Sequence, residues 1–457
     1  MIVIQPDTRA AYRLMHDGIL VLGEIERTGM RIDVDYCTRQ IGVLDRRIER
    51  MIKLLHECVD VREWKKIQGE KFNIDSPRQL ANYLYTHKKL TPMKTTEKGN
   101  ASVDDESLRS LKEPFVQDLL RIRRLKKTRD TYLKGILSEV SDDGLLHPFL
   151  NLHTVRTYRS SSNSPNFQNL PIRDKEMGKI IRQAFIPRSG HRFGGIDISG
   201  AEVRVAACYH HDTTMLEYIR NPSSDMHRDM AMECYKLSQD QVNKISRYCA
   251  KNMFVFPQFY GDWYKSCAAS LWAAIDEMDL QTADGVPMRE HLRSQNIKNY
   301  NRFEDHIKQV EDRFWNDRFP AYAEWKRKWI RQYEETGRIY MLTGFTCSGV
   351  MGKNDVVNYP VQGSAFHCLL WSLIRLHDWL KREKMQSRII GQIHDEIVFD
   401  ADASELVAVM KQAREIMCEE IRQEWKWIVV PMDVEASFAP VDRSWYEKES
   451  ISVGDDL

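Results

Sequence analysis

Two carboxylates stand in places where a carboxylate is costly. Asp197 closes the apolar run of residues 190–198 and is followed by Ile198-Ser199-Gly200-Ala201-Glu202. Asp395 lies between Gly391-Gln392-Ile393 and Ile397-Val398-Phe399. Burial disfavours the charged form unless a cation or hydrogen-bond donors satisfy it. Two such groups on neighbouring strands could hold a pair of Mg²⁺ ions that bridge the attacking and leaving oxygens of a phosphoryl transfer. Either Asp taken alone reads more simply as a polar turn residue. A second constellation is cationic: Arg247 and Lys251, four apart, share one face of a helix. A guanidinium and an ammonium so placed suit a triphosphate. Phe254, Phe256, Phe259 and Tyr260 come next, and an aromatic face beside a cationic one could stack a base. In isolation this segment reads more simply as an amphipathic helix with core aromatics.

The elements that must position these groups are mixed. Residues 12–27 carry helical apolar spacing and stop at Thr28-Gly29; a second helix is predicted over 34–58 and a third over 78–86, opened by Ser76-Pro77. Residues 91–105 read as a loop, with Ser102 and Asp105 ahead of a further helix. Residues 117–134 hold seven bases against two acids, which on a helix gives a basic surface able to track phosphates or an ordinary solvated face. The Ser/Asn-rich stretch 157–173 cannot be a long helix. Residues 200–340 return to helical periodicity, 364–384 form the clearest amphipathic helix, and 388–400 alternate as a strand pair interrupted by His394-Asp395-Glu396.

Composition narrows the class. With 457 residues, 67 bases and 66 acids, the chain predicts two to four domains, each able to bury a core. No apolar run reaches a membrane span, and the N-terminus makes a poor signal peptide. Nine scattered cysteines without a Cys-x-x-Cys pair fit reduced thiols. A cytoplasmic, non-secreted protein of a bacterium or virus-infected cell is expected, with no membrane partner.

Taken in order, the motifs resemble those of the family A DNA polymerases, the DNA polymerase I group. The first stands as Asp197-Ile-Ser199-Gly-Ala-Glu202-Val-Arg204, the second as Arg247-YCA-Lys251-NMFVFPQF-Tyr260-Gly261, the third as His394-Asp395-Glu396. ERTGMRID (26–33), FNIDSPRQL (72–80), MKTTEKGNAS (93–102), TYRSSSNSPNFQNLPIR (157–173), NYPVQGSA (358–365) and VDRSWYE (441–447) extend the likeness across essentially the whole chain.

The resemblance implies an α+β right-hand fold with an antiparallel palm sheet, helical fingers and a helical thumb, Asp197 and Asp395 lying on adjacent strands. It implies an N-terminal extension at 1–19, thumb 20–140, palm 141–205, fingers 206–339 with an insertion near 265–300, and palm again 340–457. Asp197 and Asp395 would hold two Mg²⁺, Glu396 would tune them, and Arg247, Lys251 and His227 would contact triphosphate, with Lys251 also a candidate proton donor. Glu202 would exclude a ribose 2′-hydroxyl and Tyr260 would sit by the template base. Arg159, Asn166, Gln168, Asn169, Asn358, Gln362 and His394 would meet the duplex, and Arg123, Arg124, Lys126 and Lys127 its phosphates.

The implied activity is template-directed addition of deoxynucleoside triphosphates to a primer on primer-template DNA. No intrinsic exonuclease is expected, because fewer than 30 residues precede the thumb; a separate proofreading exonuclease or processivity factor is a further candidate partner. A single-subunit RNA polymerase and a catalytically silent duplex-binding scaffold are the alternatives. Two departures stand out. Lys251 to Tyr260 is one residue longer than the family spacing, and Pro257 falls inside that helix. Phe256 is the expected nucleotide-stacking aromatic if a bulge absorbs the extra residue, with Phe254 second.

Overall fold

The computed structural model describes residues 5–96, 98–171 and 174–451. Parts of four segments lie outside the described residues: residues 1–4 of the N-terminal extension, Glu97 of MKTTEKGNAS, Ile172 and Arg173 of TYRSSSNSPNFQNLPIR, and residues 452–457 of the second palm segment.

Helix α1 (Thr8–Thr28) is capped by the Asp7 carboxylate, which accepts from Ala10 N at 2.9 Å, and ends at Gly29 with φ 68°. It runs unbroken across residues 19 and 20, where the sequence placed a boundary, and packs on the long helix that holds Leu370: a Cβ at Gly18 would lie 3.0 Å from the Leu370 side chain. Helix α2 (Val34–Glu57) starts on Asp33 and packs against α3 (Pro114–Lys127). Beside them Trp64 stacks on Tyr83 at 5.8 Å, and Phe115 meets Tyr83 edge-on at 5.9 Å. The basic run does not form one open face, as its composition suggests. Acids from neighbouring segments fold onto it, pairing Lys126 with Asp75 at 2.7 Å, Arg129 with Asp45 at 2.7 Å and Arg124 with Asp174 at 3.3 Å. The helix after the 91–105 loop is capped by Asp104, one residue before the expected Asp105.

Among the described residues the largest sheet has five antiparallel strands: β1 (His191–Ile198), β2 (Arg388–Ile393), β3 (Glu396–Asp402), β4 (Val434–Phe438) and β5 (Glu449–Ile451). Their order is β5-β4-β1-β3-β2, so β1 is central, paired with β4 and β3. Its register sets Asp197 opposite Glu396 on one side and Glu435 on the other.

The helical region rises from the end of β1 through α4 (Ala201–His210), α5 (Met226–Tyr235), α6 (Lys244–Ala250), α7 (Phe256–Tyr260), α8 (Tyr264–Glu277) and α9 (Pro320–Thr336). The stretch 265–300 contains α8 and a helix at Met288–Ser294. One carboxylate ties the ends of this region together. Asp212, 1% exposed, accepts from Thr214 N and Met215 N at 3.1 and 3.2 Å, and from Ala321 N and Tyr322 N at 3.0 and 3.2 Å. It therefore satisfies orphan donors of two helix N-termini at once.

Helix α10 (Lys353–Arg382) begins eleven residues before the amphipathic pattern does. Pro360 inside it argues against a helix from sequence, since proline leaves the carbonyl four residues back without its donor. That carbonyl, on Val356, accepts instead from Trp329 Nε1 at 3.0 Å. Gly363 lets the next segment approach, because a Cβ there would sit 2.6 Å from the Thr157 carbonyl.

Replacing Asp212 by Ala leaves four N–H groups without their acceptor. We expect a loss of about 2–4 kcal/mol in urea unfolding, and a smaller loss for Asp212→Asn, whose one remaining oxygen serves a single helix end while its amide N–H groups face the donors of the other.

Candidate active site

The centre of the sheet gathers acid. Gly195 on β1 carries no side chain, and the Glu396 carboxyl occupies that space: a Cβ at Gly195 would lie 1.9 Å from Glu396 Oε1. The Lys448 ammonium pairs with the same carboxylate. Asp197, opposite Glu396, is pushed up to about 6 by burial first and then by the charges of Glu396, Glu435 and Asp395. Asp395 sits in the hairpin turn between β2 and β3 and not on a strand, correcting the adjacent-strand expectation; the residue in register with Asp197 is Glu396. The two aspartates nonetheless line one cavity of about 270 Å³. Among the described residues no group of three or more His, Cys, Asp or Glu forms a closed metal cage. A pair of hard oxygen donors in a carboxylate cluster short of counter-charge is what Mg²⁺ takes when substrate phosphates complete its shell.

The aromatic part of the cavity wall comes from α7, while Arg247, Lys251 and His227 are not among the residues that line the cavity. Residues Lys251–Val255 form a π-helical turn, which absorbs the extra residue between Lys251 and Tyr260 and rotates α7 relative to α6. Pro257 then falls in the first turn of α7, where a missing N–H costs little. The rotation separates the two phenylalanines. Phe256 lines the cavity, while Phe254 is fully buried and meets Phe314 edge-on at 5.4 Å. Around Phe256 gather the Lys251 ammonium, 5.2 Å from the ring centroid, and the His227 ring at 5.8 Å. Burial, followed by the charges of Lys251 and Arg247, lowers the His227 imidazole to about 4, so it is neutral at pH 7. Its buried Nδ1 has no hydrogen-bond partner. Arg247 donates from Nε to Asp225 at 2.6 Å, the residue that caps α5.

Glu202, on the first turn of α4, lines the same cavity. Tyr260 donates its hydroxyl to Glu202 Oε2 at 2.7 Å, and Arg159 reaches Glu202 Oε1 at 3.4 Å and Asp395 Oδ1 at 3.6 Å. Burial raises the Glu202 carboxyl while the Tyr260 bond and the Arg159 charge oppose it. Burial and the Glu202 charge raise the Tyr260 phenol. Asn358 on α10 donates to the Tyr260 carbonyl at 3.1 Å.

A second groove adjoins the cavity. Arg159, Asn166, Gln168, Asn169, Gln362 and His394 line it, and Gln362 faces both spaces. Not all of them are free to reach a ligand. The buried Gln168 amide donates to Ser160 Oγ at 3.1 Å and to the Gln392 carbonyl and Oε1 at 3.1 and 3.0 Å, so it fixes the groove wall. The Asn166 side chain accepts from Asn169 N at 3.2 Å. Farther out, Arg123, Arg124 and Lys127 line a third groove with Arg109 and Lys175; Lys126 is turned to Asp75. Sequence reasoning passed over Gly195, Asp225, Gln392, Glu435 and Lys448, whose roles exist only through cross-strand and interhelical contacts.

The family model for DNA polymerase family A matches residues 45–447, and the chain belongs to that family. It is 29% identical over 432 residues to DNA polymerase I of Bacillus subtilis (strain 168), covering 94% of this chain and 44% of that protein. It is 28% identical over 371 residues to the DNA polymerase of Bacillus phage SP01, covering 76% and 37% respectively. The chain thus spans less than half the length of these relatives. The POL domain of Pol1 from M. smegmatis, solved in complex with DNA primer-template and dNTP, matches with a TM-score of 0.74 at 24% identity, over 94% of this chain and 70% of that one. The α+β polymerase fold is shared. No described helix is long and apolar enough to cross a membrane.

A carboxyl raised by folding binds its proton more tightly folded than unfolded. Asp197 therefore stabilises the metal-free protein most below its ordinary value of 3.8, and that contribution is lost as pH climbs through about 6. At pH 7 without divalent cations, Asp197→Asn should melt about 2–4 °C above the native protein, and calorimetry at pH 4 should show the gap closing.

Proposed function

We propose that the chain carries out template-directed DNA synthesis, joining deoxynucleoside triphosphates to a primer 3′-hydroxyl and releasing pyrophosphate. The observation that carries this reading is one cavity edged by the paired carboxylates Asp197 and Asp395, by the Glu202–Tyr260 pair and by Phe256, against which Lys251 and His227 pack. Family membership and the fold support it.

In this reading Arg247, Lys251 and His227 hold the triphosphate, and Phe256 packs against the nucleotide. A bond forms between the primer oxygen and the α-phosphorus, the bond to pyrophosphate breaks, and the hydroxyl proton passes to solvent water. Two Mg²⁺ at Asp197 and Asp395 would lower the pKa of the attacking hydroxyl and neutralise the leaving pyrophosphate. Lys251, whose ammonium packs over the Phe256 ring, is the candidate to return a proton to that pyrophosphate. Glu202, pinned by Tyr260 and Arg159, fills the space a 2′-hydroxyl would need. Arg159 and Gln362 meet the minor-groove acceptors that all Watson–Crick pairs share, so they sense pair shape. Arg123, Arg124 and Lys127 follow backbone phosphates from the thumb. Residues 20–140 serve as thumb, 206–339 as fingers, and 141–205 with 340–457 as palm, on which α1 also packs. Nine unpaired cysteines support a reducing, cytoplasmic setting.

The RNA polymerase alternative is disfavoured by the Glu202 gate, and the silent scaffold by the presence of both aspartates. Primer extension with Mg²⁺ decides among them. We expect growth of a 5′-labelled primer with deoxynucleotides, no shortening without them, and loss of at least about 10³-fold in Asp395→Ala with duplex affinity retained. Primer degradation would overturn the exonuclease-free reading, and equal use of ribonucleotides would overturn the gate. Glu202→Ala should raise ribonucleotide incorporation about 10–100-fold relative to deoxynucleotide, read as the ratio of kcat/KM values.

A further inference from the structure

Phe256 and Tyr260, four residues apart on α7, share the face that lines the cavity, and Gln258 between them falls on the opposite face. It is 1% exposed, an uncommon place for a glutamine, and both ends of its amide are used. Nε2 donates to Glu311 Oε1 at 2.6 Å, and Oε1 accepts from Trp315 Nε1 at 2.7 Å. Glu311 belongs to the helix Tyr300–Arg313, and Trp315 to the π-helical turn Phe314–Arg318 that continues it. The buried Cys267 thiol on α8 lies 3.5 Å from the same Nε2.

The two bonds admit one orientation. An indole N–H only donates and a carboxylate only accepts, so turning the amide over would set oxygen against oxygen and N–H against N–H. Lys326 on α9 fixes the indole in turn, its ammonium 3.6 Å from the Trp315 ring centroid. Burial lowers that ammonium to about 8, with the Glu311 charge opposing, so it stays charged at pH 7. Burial raises the Glu311 carboxyl and the Gln258 bond opposes it. An apolar side chain of this size would let α7 roll against its neighbours at little cost. A doubly bonded amide does not, because rolling leaves a buried donor or acceptor unmade. The helix needs such a hold. It is five residues long, follows a π-helical turn and contains Pro257, so few backbone bonds tie its rotation to α6.

We propose that Gln258, pinned between Glu311 and Trp315, is a positioning residue for nucleotide selection: it fixes the rotation of α7 and so the angle at which Phe256 and Tyr260 meet an incoming nucleotide. The inference rests on the polymerase reading for its ligand. Its test titrates the correct and a mispaired deoxynucleoside triphosphate onto protein bound to a primer-template whose primer lacks its 3′-hydroxyl. Native protein is compared with Gln258→Leu, Trp315→Phe, Gln258→Glu, and Gln258→Glu combined with Glu311→Gln. Gln258→Leu and Gln258→Glu should weaken the correct nucleotide about 10-fold, leave the mispaired one within about 3-fold, and keep duplex affinity. Exchanging acid and amide between positions 258 and 311 restores the match of donors and acceptors, and should return the correct nucleotide to within about 3-fold of native. Native affinity in Gln258→Leu, equal weakening of both nucleotides, or no recovery in the exchanged pair would each overturn the proposal. Should Gln258→Leu not fold, Trp315→Phe and the exchanged pair decide it on the same scale. A native protein that binds the duplex yet neither binds nor joins deoxynucleotides would sink the polymerase reading. Hydrogen exchange of the α7 amides still decides the pin in that case: rates about 10-fold faster in Gln258→Glu, recovered in the exchanged pair, support it, and unchanged rates refute it.

Discussion

The structure depends on keeping a charged carboxylate inside a half-dry sheet. Asp197 has acids in register on both flanks, Glu396 and Glu435, and a fourth carboxylate, Asp395, close enough to raise its pKa. Left alone, such a cluster would repel itself apart or take up protons. Gly195 gives the Glu396 carboxyl room to lie over the sheet, Lys448 neutralises it, and Arg159 spans Asp395 and Glu202. With Glu396 occupied, Asp197 and Asp395 are left facing the cavity. The unfavourable charge density is thereby confined to the two groups that a cation would satisfy.

The helices that carry Arg247, Lys251 and Tyr260 are tied to this centre by helix ends and not by a sheet. Asp212 joins the beginnings of two helices far apart in sequence, and Asn358 and Asn354 on α10 hold the Tyr260-Gly261 turn from below. The π-helical turn at Lys251–Val255 connects the two arrangements. Without its extra residue, the side chain facing the cavity would not be Phe256. Backbone hydrogen bonding, and not side-chain identity, decides which aromatic meets the site.

Much of this was legible in the sequence, for reasons that differ by element. The carboxylates stood out because a charged residue at the end of an apolar run contradicts its surroundings. The bulge was legible because Pro257 and the surplus residue demanded a break in the helix, and Phe256 emerged from counting back to Tyr260. The early start of α10 was hidden, because Pro360 speaks for a boundary until a distant Trp329 takes the orphaned carbonyl. Gln168 looked like a ligand-reading amide, yet its donors are engaged by Ser160 and Gln392, which no local pattern connects. The bases of 117–134 looked like one face because the acids that fold onto them lie 50 to 84 residues away in the chain.

The groups that would hold a nucleotide are each held by the protein in its absence, and the strength of each hold is graded. Arg247 is paired with Asp225 at a site where its side chain remains 44% exposed, and such pairs are worth about 0–1 kcal/mol. A phosphate offering short, charge-assisted bonds can displace that partner at small cost. Lys251 rests over the Phe256 ring, an interaction of about 0.5–1 kcal/mol at exposed sites. Glu202 is different: it is shielded from water, bonded to Tyr260 and reached by Arg159, so moving it breaks several contacts at once. In the proposed reading, the groups that would exchange partners with a substrate are thus weakly held, and the group that would exclude a 2′-hydroxyl is held by several contacts. The same distribution fits a neutral His227 beside two cations: it adds no third positive charge to Lys251 and Arg247, and in the proposed reading a phosphate nearby would favour its protonation.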